Sequence, residues 1–351
     1  MAAPKIIVFG SLNGQLKPAL TKLAALHAKN DFALAIFTGD VFAPDDDPDL
    51  TAELLAGSIQ FPIPVYFSLG LCPLPPAITQ KLEANQPICD NFFYLDKRSI
   101  TTTAEGIRIV VLAGLLDSDA NGDQATHQHL PSHSLQDAKT LRGANSAHVL
   151  LTSMWPAEIW TGSKVVLEPQ QQAALQSSQP LAELCAALKP RYHLSASPDA
   201  FFYEREPFLH PAASDSDAVQ SVTRFISMAP FGNTAKAKAM YAFSLNTADV
   251  SLPVGVTPSP FAAIHQHKKR RAEDSGSYSR FGALDPDPSD SYGRGHKRRR
   301  HAAPPPPGPD RCYFCLSNPN ISAHMCCSIG DESYITTAKG PLLTSTIFAD
   351  P

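Results

Sequence analysis

The stretch Phe37-Thr38-Gly39-Asp40 decides how the rest of the chain is interpreted. The apolar run that precedes it predicts a buried strand, and Gly39 allows a tight turn that presents Asp40 beyond the strand end. An upstream stretch, Val8-Phe9-Gly10-Ser11-Leu12-Asn13-Gly14, has the same arrangement. Apolar residues at helical spacing predict an amphipathic helix over residues 15–28. Strand, helix and strand at this spacing form a βαβ unit, and its polar turns lie at the carboxyl ends of the strands.

Further apolar runs extend this α/β pattern along the chain. The sequence predicts strands at Lys5–Phe9, Phe32–Thr38, Pro64–Leu69, Phe92–Asp96, Ile107–Gly114, His148–Thr152 and Arg191–Ala196, and helices at Asp49–Ser58 and Pro180–Lys189. Two last runs, Thr223–Met228 and Met240–Leu245, are predicted to close the folded part as antiparallel strands. We therefore predict one α/β domain over residues 1–247.

Composition changes after residue 247. Ten prolines lie between Pro253 and Pro309, and apolar periodicity disappears. Such a segment cannot bury enough apolar surface to offset the entropy of ordering it. The sequence therefore predicts a disordered, basic, Pro-rich linker over residues 248–310 and a small Cys-containing segment over residues 311–351.

Charge is distributed unevenly along the chain. The net charge is −4, but residues 268–300 carry ten Lys and Arg against five Asp and Glu, so this segment is +5 and the remainder is −9. The folded part is thus not an obvious polyanion binder. Two clusters, Lys268-Lys269-Arg270-Arg271 and Lys297-Arg298-Arg299-Arg300, predict recognition by a nuclear import receptor or contact with RNA phosphates. A plain solvated linker is the alternative.

Five groups of residues occur in the order in which one known family carries them. They are Lys189-Pro190-Arg191-Tyr192-His193-Leu194-Ser195-Ala196, Phe202-Tyr203-Glu204-Arg205, Thr223-Arg224-Phe225-Ile226, Tyr241-Ala242-Phe243-Ser244, and Cys312-Tyr313-Phe314-Cys315-Leu316 with Ser328-Ile329-Gly330-Asp331 and Ala338-Lys339-Gly340-Pro341. Together they resemble the CwfJ family, the spliceosome-associated relatives of the lariat debranching enzyme. The resemblance covers residues 5–245 and 311–341.

This resemblance implies a metallophosphoesterase-like two-sheet sandwich with flanking helices, followed by a partial histidine-triad-like C-terminal domain. It also implies a nuclear protein that associates with late or post-splicing complexes and assists intron lariat turnover. The family pattern would continue after Lys339-Gly340-Pro341 into a Gly-His strand and a His-rich turn. Here Leu342-Leu343-Thr344-Ser345-Thr346 follows instead. We therefore expect a shortened C-terminal segment without a histidine triad.

The same resemblance allows the ligands of a two-metal phosphoesterase site to be compared turn by turn. The debranching enzyme places carboxylates, an Asn and several His in these turns, whereas this sequence retains only Asp40 as a strong ligand for a hard cation. The other turns offer neutral groups: Ser11, Asn13, Cys72, Ser153 and Ser197. A single Asp with neutral neighbours does not hold two divalent ions, although Asn13 could lend a carbonyl oxygen. Asp40 could cap the segment that follows it, anchor a vestigial metal or phosphate, or be catalytic.

A second possible metal site lies near the C-terminal end. Cys312 and Cys315 with His324 have the ligand types and part of the spacing of a zinc site, and Cys326 or Cys327 could supply a fourth ligand. Zinc is therefore the one cofactor that the sequence suggests, and no other is expected.

These observations favour a non-catalytic, nuclear adaptor in pre-mRNA splicing. Its expected partners are the lariat debranching enzyme, late spliceosome components, an import receptor and RNA bound through the basic linker, with no membrane. Two alternatives stay open. One is a residual metal-dependent phosphodiesterase that uses Asp40 and Asn13, and the other is a general RNA-binding module.

Overall fold

A computed structural model describes residues 3–45, 47–117, 129–198, 201–211, 221–247, 252–261, 326–329 and 334–336. The chain divides into two compact units, Met1–Arg280 and Phe281–Pro351. The first unit contains both of the Gly-centred turns described above, so its architecture determines where their polar side chains lie.

Strands and helices alternate through most of the first unit. The strands in the described ranges are β1 Lys5–Phe9, β2 Leu34–Phe37, β3 Val65–Phe67, β4 Phe92–Tyr94, β5 Arg98–Thr102, β6 Arg108–Leu112, β7 Leu115–Leu116, β8 Ser132–His133, β9 Val149–Thr152, β10 Trp155–Pro156, β11 Ser177–Ser178, β12 Tyr192–Ala196, β13 Tyr203–Glu204, β14 Phe208–Leu209, β15 Val222–Met228, β16 Met240–Ser244, β17 Thr257–Pro258, β18 Cys326–Ile329 and β19 Tyr334–Thr336. The helices are α1 Leu16–Asn30, α2 Pro48–Leu55, α3 Pro76–Glu83, α4 Leu135–Leu141, α5 Pro169–Ala174 and α6 Gln179–Leu188.

Two sheets form the framework of the first unit. The smaller has the order β16-β1-β2-β3-β4, and the larger has the order β17-β14-β15-β12-β9-β6-β5, with β13 also paired to β15. Strands β1 to β4 are parallel, and so are β6, β9, β12 and β15. The carboxyl ends of the parallel strands in each sheet therefore share one edge.

Alternate residues of the large sheet belong to different cores. Ile109 and Val111 of β6 join the cluster that also contains the small sheet, whereas Val110 and Leu112 join a second cluster with α4 and α6. This alternation follows from the two-residue period of a strand, which sends neighbouring side chains to opposite faces. The result is a two-sheet sandwich with helices on its outer faces, and the predicted α/β fold class is confirmed.

Helix α1 illustrates how the flanking layer is formed. One face of the helix is buried, and its apolar members recur at three- and four-residue spacing: Leu16, Ala19, Leu20 and Leu23. The helix is capped by Asp31, which adopts the left-handed conformation (φ 54°) and donates its amide hydrogen to the His27 carbonyl. The predicted helix over residues 15–28 is thus present, with ends displaced by one or two residues.

One part of the predicted topology is wrong. Strand β16 is antiparallel to β1, but β15 runs parallel to β12 and pairs antiparallel only with the short β13 and β14. The two strands lie in different sheets and do not close the domain together. Their apolar patterns are alike, and strand direction depends on long-range pairing that periodicity does not encode.

The folded unit also continues past residue 247, where the sequence predicts its end. Strand β17 pairs with β14, and Phe261 is only 1% exposed within the second core cluster. The Arg205 guanidinium donates a hydrogen bond to Thr257 Oγ1 at 2.8 Å, so this late segment is attached by a buried polar contact as well. Residues 252–261 therefore belong to the folded unit.

In the second unit, β18 and β19 form an antiparallel pair, with Cys326 opposite Thr336 and Ile329 opposite Tyr334. Among the helices that the structure describes, none is both long enough and apolar enough to cross a membrane.

Candidate functional site

The turns that follow the parallel strands of both sheets line one small cavity. Its volume is about 140 Å³, and the first turn contributes Ser11 and Asn13, while the second contributes Gly39 and Asp40. The other lining residues come from later turns and loops: Leu71, Ser153, Trp155, Gln176, Ala196, Ser197, Pro198 and Pro230. The structure therefore brings together the residues Ser11, Asn13 and Asp40, which the sequence predicts as a vestigial metal or phosphate site.

The first two turns are joined through their backbones. The Asp40 carbonyl oxygen accepts hydrogen bonds from the amides of Leu12 at 2.7 Å and Asn13 at 3.0 Å, and Gly14 donates to the Val41 carbonyl at 3.0 Å. Asn13 has φ 47°, a left-handed conformation that Asn tolerates better than most residues. The backbone of one turn thus fixes that of the other before any side chain is considered.

The Asp40 side chain caps a third turn. Its Oδ1 accepts hydrogen bonds from the backbone amides of Leu71 at 2.9 Å and Cys72 at 2.8 Å. A Cβ atom at Gly70 would lie 2.2 Å from the same oxygen, so glycine is required for this close approach. The carboxylate therefore binds the turn after β3 and not the segment that follows Asp40 itself.

Burial is the largest influence on the pKa of the Asp40 carboxyl group. It raises the pKa of Asp40 above the ordinary value, while the hydrogen bonds from Cys72 and Leu71 oppose that rise. The neighbouring Cys72 thiol also has a raised pKa, because of its burial and because of the Asp40 charge. Both shifts favour the protonated form of the group concerned.

Gly39 allows the turns to pack closely. Its φ is +68°, and a Cβ atom there would lie 2.1 Å from Ser11 Oγ and 2.7 Å from Ala196 Cβ. The carboxyl end of β12 therefore reaches the turn after β2. This contact brings the large sheet against the small one at the site.

The hydroxyl groups of the later turns are engaged in the protein's own hydrogen bonds. Ser153 Oγ donates to the Leu69 carbonyl at 2.7 Å and accepts from the Gly114 amide at 3.0 Å. Ser197 Oγ and Ser227 Oγ are 2.8 Å apart, and Ser197 is buried. These hydrogen bonds connect one turn to the next and leave the hydroxyl oxygens few lone pairs with which to bind an ion.

These residues do not fit a two-metal centre. A dinuclear site needs several carboxylate or imidazole ligands, yet the described residues of the cavity offer one carboxylate, one oxygen of which already accepts two amides. In the part of the chain that the structure describes, no group of three or more His, Cys, Asp and Glu is arranged to hold a metal ion. The described residues of this cavity therefore lack the ligands that a two-metal mechanism needs.

Trp155 and Gln176 are among the cavity residues that were not predicted as site residues from the sequence. Trp155 is 1% exposed and donates its indole N–H to the Ala196 carbonyl at 3.2 Å, and Gln176 reaches the cavity from the segment before β11. The position of Trp155 two residues after Ser153 could have indicated its place. For Gln176 no local pattern does so, because the pairing of β10 with β11 alone brings it there.

Other predicted site residues lie outside the described ranges. They are the possible zinc ligands Cys312, Cys315 and His324 and the basic residues Lys268, Lys269, Arg270, Arg271, Lys297, Arg298, Arg299 and Arg300. Cys326, a suggested fourth ligand, begins β18. The zinc and import assignments stay predictions.

The fold and the cavity together define a class: a two-sheet α/β sandwich in which, among the described residues, hydroxyl, amide and thiol groups surround a single carboxylate. A family model described as "Protein similar to CwfJ C-terminal" matches residues 297–349. Together with the relatives described next, this match shows that the chain is similar to proteins of the CwfJ/CWF19-like family.

Similar proteins occur in distant eukaryotes. The chain is 28% identical over 376 residues to "CWF19-like protein mug161" of Schizosaccharomyces pombe, covering 97% of this chain and 66% of that protein. It is 30% identical over 365 residues to "CWF19-like protein 1 homolog" of Caenorhabditis elegans, covering 96% and 65%. The chain thus spans slightly under two thirds of the length of these relatives.

Among solved structures, the protein TT1561 of Thermus thermophilus is similar with a TM-score of 0.41 and 12% sequence identity, over 65% of this chain and 90% of that one. The fold described above follows from the strand order and not from this likeness.

Proposed function

We propose that this protein is a non-catalytic nuclear adaptor in pre-mRNA splicing, which assists intron lariat debranching and late spliceosome complexes. The observation that carries the proposal is the cavity at the carboxyl edge of the sheets. Its turns come together at one place, as the resemblance to phosphoesterases leads us to expect, while Asp40 and Ser153 hydrogen-bond to backbone groups of neighbouring turns. Similarity to the CwfJ/CWF19-like family supports the connection with splicing.

The chemistry of the cavity supports an adaptor over an enzyme. Hydrolysis assisted by two ions requires charge to stabilise both the attacking and the leaving oxygen. Among the described residues that line this cavity, Asp40 is the one carboxylate, and burial raises its pKa. Loss of the ligands with retention of the fold is what we expect when the domain acts as a binding surface.

The remaining assignments complete the proposal. We assign nuclear import and non-specific RNA contact to the basic clusters within residues 268–271 and 297–300, and zinc to Cys312, Cys315 and His324. The debranching enzyme and late spliceosome components are the proposed protein partners. Each assignment rests on residue chemistry and on the family resemblance.

A debranching time course tests this function. A labelled 2′–5′ branched RNA is incubated with this protein, with the debranching enzyme, and with both, at matched divalent-ion concentrations. We expect faster release in the mixture than with the enzyme alone, and no release by this protein. Unchanged rates in the mixture would contradict the adaptor role.

Release by the protein alone would contradict the non-catalytic part and favour a residual phosphodiesterase. The matched variant for that outcome is Asp40→Asn, which keeps the Oδ1 acceptor but removes the negative charge. Abolished release in this variant, together with bound manganese or iron in the unaltered protein, would assign the activity to Asp40.

A further inference from the structure

Four of the sequence motifs that carry the family resemblance meet at one place on the surface. They are separate in the chain, yet pairing of β16 with β1 and of β15 with β12 brings members of each together. The surface involves β16, an edge strand of the small sheet, and β13 and β15 of the large sheet. We call it the aromatic-cation surface, and define it by Tyr192, Phe202, Arg224, Lys238, Tyr241 and Phe243.

The aromatic rings of this surface form two near-parallel pairs. The Tyr192 and Phe243 ring centroids are 3.8 Å apart with planes 19° apart, and those of Phe202 and Tyr241 are 6.4 Å apart with planes 18° apart. Tyr241 and Phe243 connect the pairs at 6.2 Å. All four rings are half-buried, unlike the enclosed rings of the core.

Two cations lie beside these rings. Lys238 is exposed, and its Nζ lies 4.1 Å from the Tyr241 ring centroid and 4.7 Å from that of Phe202. Arg224 is the cross-strand neighbour of Tyr192. Burial raises the pKa of the Tyr192 hydroxyl, and the Arg224 guanidinium opposes this rise, which agrees with its proximity. Lys238 therefore lies over two aromatic rings, and Arg224 lies one strand away from a third.

Among the described residues, neither cation is neutralised by a close carboxylate. The ion pairs formed there involve Lys17, Arg98 and Arg142, and not Arg224 or Lys238. The neighbouring Glu204 carboxylate accepts a hydrogen bond from the Tyr241 hydroxyl at 2.8 Å. The surface thus carries two cations against the one carboxylate of Glu204, although the chain outside residues 268–300 has a net charge of −9.

We infer that the aromatic-cation surface binds single-stranded RNA. Bases stack on exposed aromatic faces whatever their sequence, and Lys and Arg contact the phosphates between them. Local positive charge is needed here, because the surrounding acidic chain would otherwise repel a polyanion. The surface would therefore bind RNA with little sequence preference and with marked dependence on salt.

This inference goes beyond the adaptor role, since it places RNA on the folded unit and does not require the basic linker. Only the choice of RNA over another single-stranded polynucleotide rests on the proposed function. A protein segment is the rival occupant, because Tyr and Arg are also common in protein interfaces. The cations beside the rings favour the nucleic acid.

The test measures the affinity of the full chain for a fluorescent 12-nucleotide oligouridine. The starting protein has the eight basic residues of 268–271 and 297–300 changed to Gln, so that the linker clusters do not contribute. Into it we introduce Arg224→Gln with Lys238→Gln. The matched control is Lys22→Gln with Lys29→Gln, which removes two exposed cations from α1.

We expect the linker-neutral protein to bind the oligonucleotide, and the Arg224 and Lys238 double variant to bind at least about 10-fold more weakly. The plot of log affinity against log salt concentration has a negative slope. Its magnitude should decrease by about 1.4, the value for two phosphate contacts on a single strand. The control should keep both the affinity and the slope. A purely structural role for the two cations would not change the salt slope.

Ultraviolet crosslinking of the same complex provides a second readout. Crosslinked uridine should map to the peptides that contain Phe202 and Tyr241. The inference is overturned if the linker-neutral protein does not bind, if the two double variants lose equal affinity, or if crosslinks map elsewhere. Failure here would leave stimulation of debranching unaffected, so the two proposals can fail separately.

Discussion

Nε2 of His193 lies 2.9 Å from Oγ1 of Thr152, in a part of the core that solvent does not reach. The Thr152 hydroxyl donates its own hydrogen to the Met154 carbonyl at 2.7 Å, so it accepts from the imidazole. His193 is therefore neutral and protonated at Nε2. Its Nδ1 has no hydrogen-bond partner among the described residues, and the ring meets Phe225 edge-on at 5.1 Å.

This neutral histidine should make the protein sensitive to acid. Burial lowers the pKa of His193 to about 3. Below pH 6.5, His193 is protonated in the unfolded chain but stays neutral in the folded state. Its contribution to the free energy of unfolding is therefore present at neutral pH and is lost as pH falls from about 6.5 towards 3. At pH 5 the loss is about 2 kcal/mol.

The variant His193→Gln tests this origin, because its amide can still donate to Thr152. Urea unfolding at pH 7 and pH 5 should show a difference about 2 kcal/mol smaller than in the unaltered protein. The stability of this variant should still depend on pH to some extent, since burial lowers the pKa of His133 as well. An unchanged difference would mean that His193 is not the group responsible.

Replacement of Asp40 should reveal its role as a cap. Asp40→Ala leaves the amides of Leu71 and Cys72 without their acceptor, and we expect a loss of about 3 kcal/mol in the free energy of unfolding. Asp40→Asn retains an oxygen at the same position and should cost about 1 kcal/mol. Equal losses in chemical denaturation would show that the oxygen is not used as described.

Gly39 and Gly57 form a matched pair for the packing of the turns. Their φ angles are +68° and +72°, but a Cβ atom would meet Ser11 and Ala196 at Gly39 and nothing within 4 Å at Gly57. Gly57→Ala should cost about 1 kcal/mol for its backbone conformation, and Gly39→Ala about 2–4 kcal/mol because steric overlap is added. Thermal unfolding of the two variants measures the difference, and similar losses would argue against close packing at the site.

The end of the folded unit can be tested by shortening the chain. A chain that ends at residue 247 loses Thr257, which binds Arg205, and Phe261, which fills the outer core. We expect it to be at least about 3 kcal/mol less stable than one that ends at residue 261. Urea midpoints compare the two directly, and equal midpoints would place the boundary at 247 after all.

Local signals explain what the sequence predicts well. The first βαβ unit is present because β1, α1 and β2 each have a clear hydrophobic period and are separated by Gly-centred turns. The meeting of Ser11, Asn13 and Asp40 follows from the same rule, since parallel strands end at one edge. Prediction of these parts needed only residues close together in the chain.

Long-range pairing explains what the sequence does not predict. The direction of β15 depends on β12, and the place of Gln176 depends on β10. Residues 252–261 resemble a linker because the segment is short and Pro-rich, yet its Thr257 hydroxyl accepts a hydrogen bond from the buried Arg205 guanidinium. Pro-rich composition indicates the absence of a core pattern, but it does not exclude docking onto a core formed elsewhere.

The pairing of β1 with β16 has a consequence for the order of synthesis. Lys5 to Phe9 are synthesised well before their antiparallel partners, Met240 to Ser244, which are among the last residues of the folded unit. Until those residues leave the ribosome, one side of β1 exposes unpaired backbone groups that can recruit another strand. A nascent chain released before residue 244 would therefore be prone to aggregate, and the sandwich is completed only when its last long strand arrives.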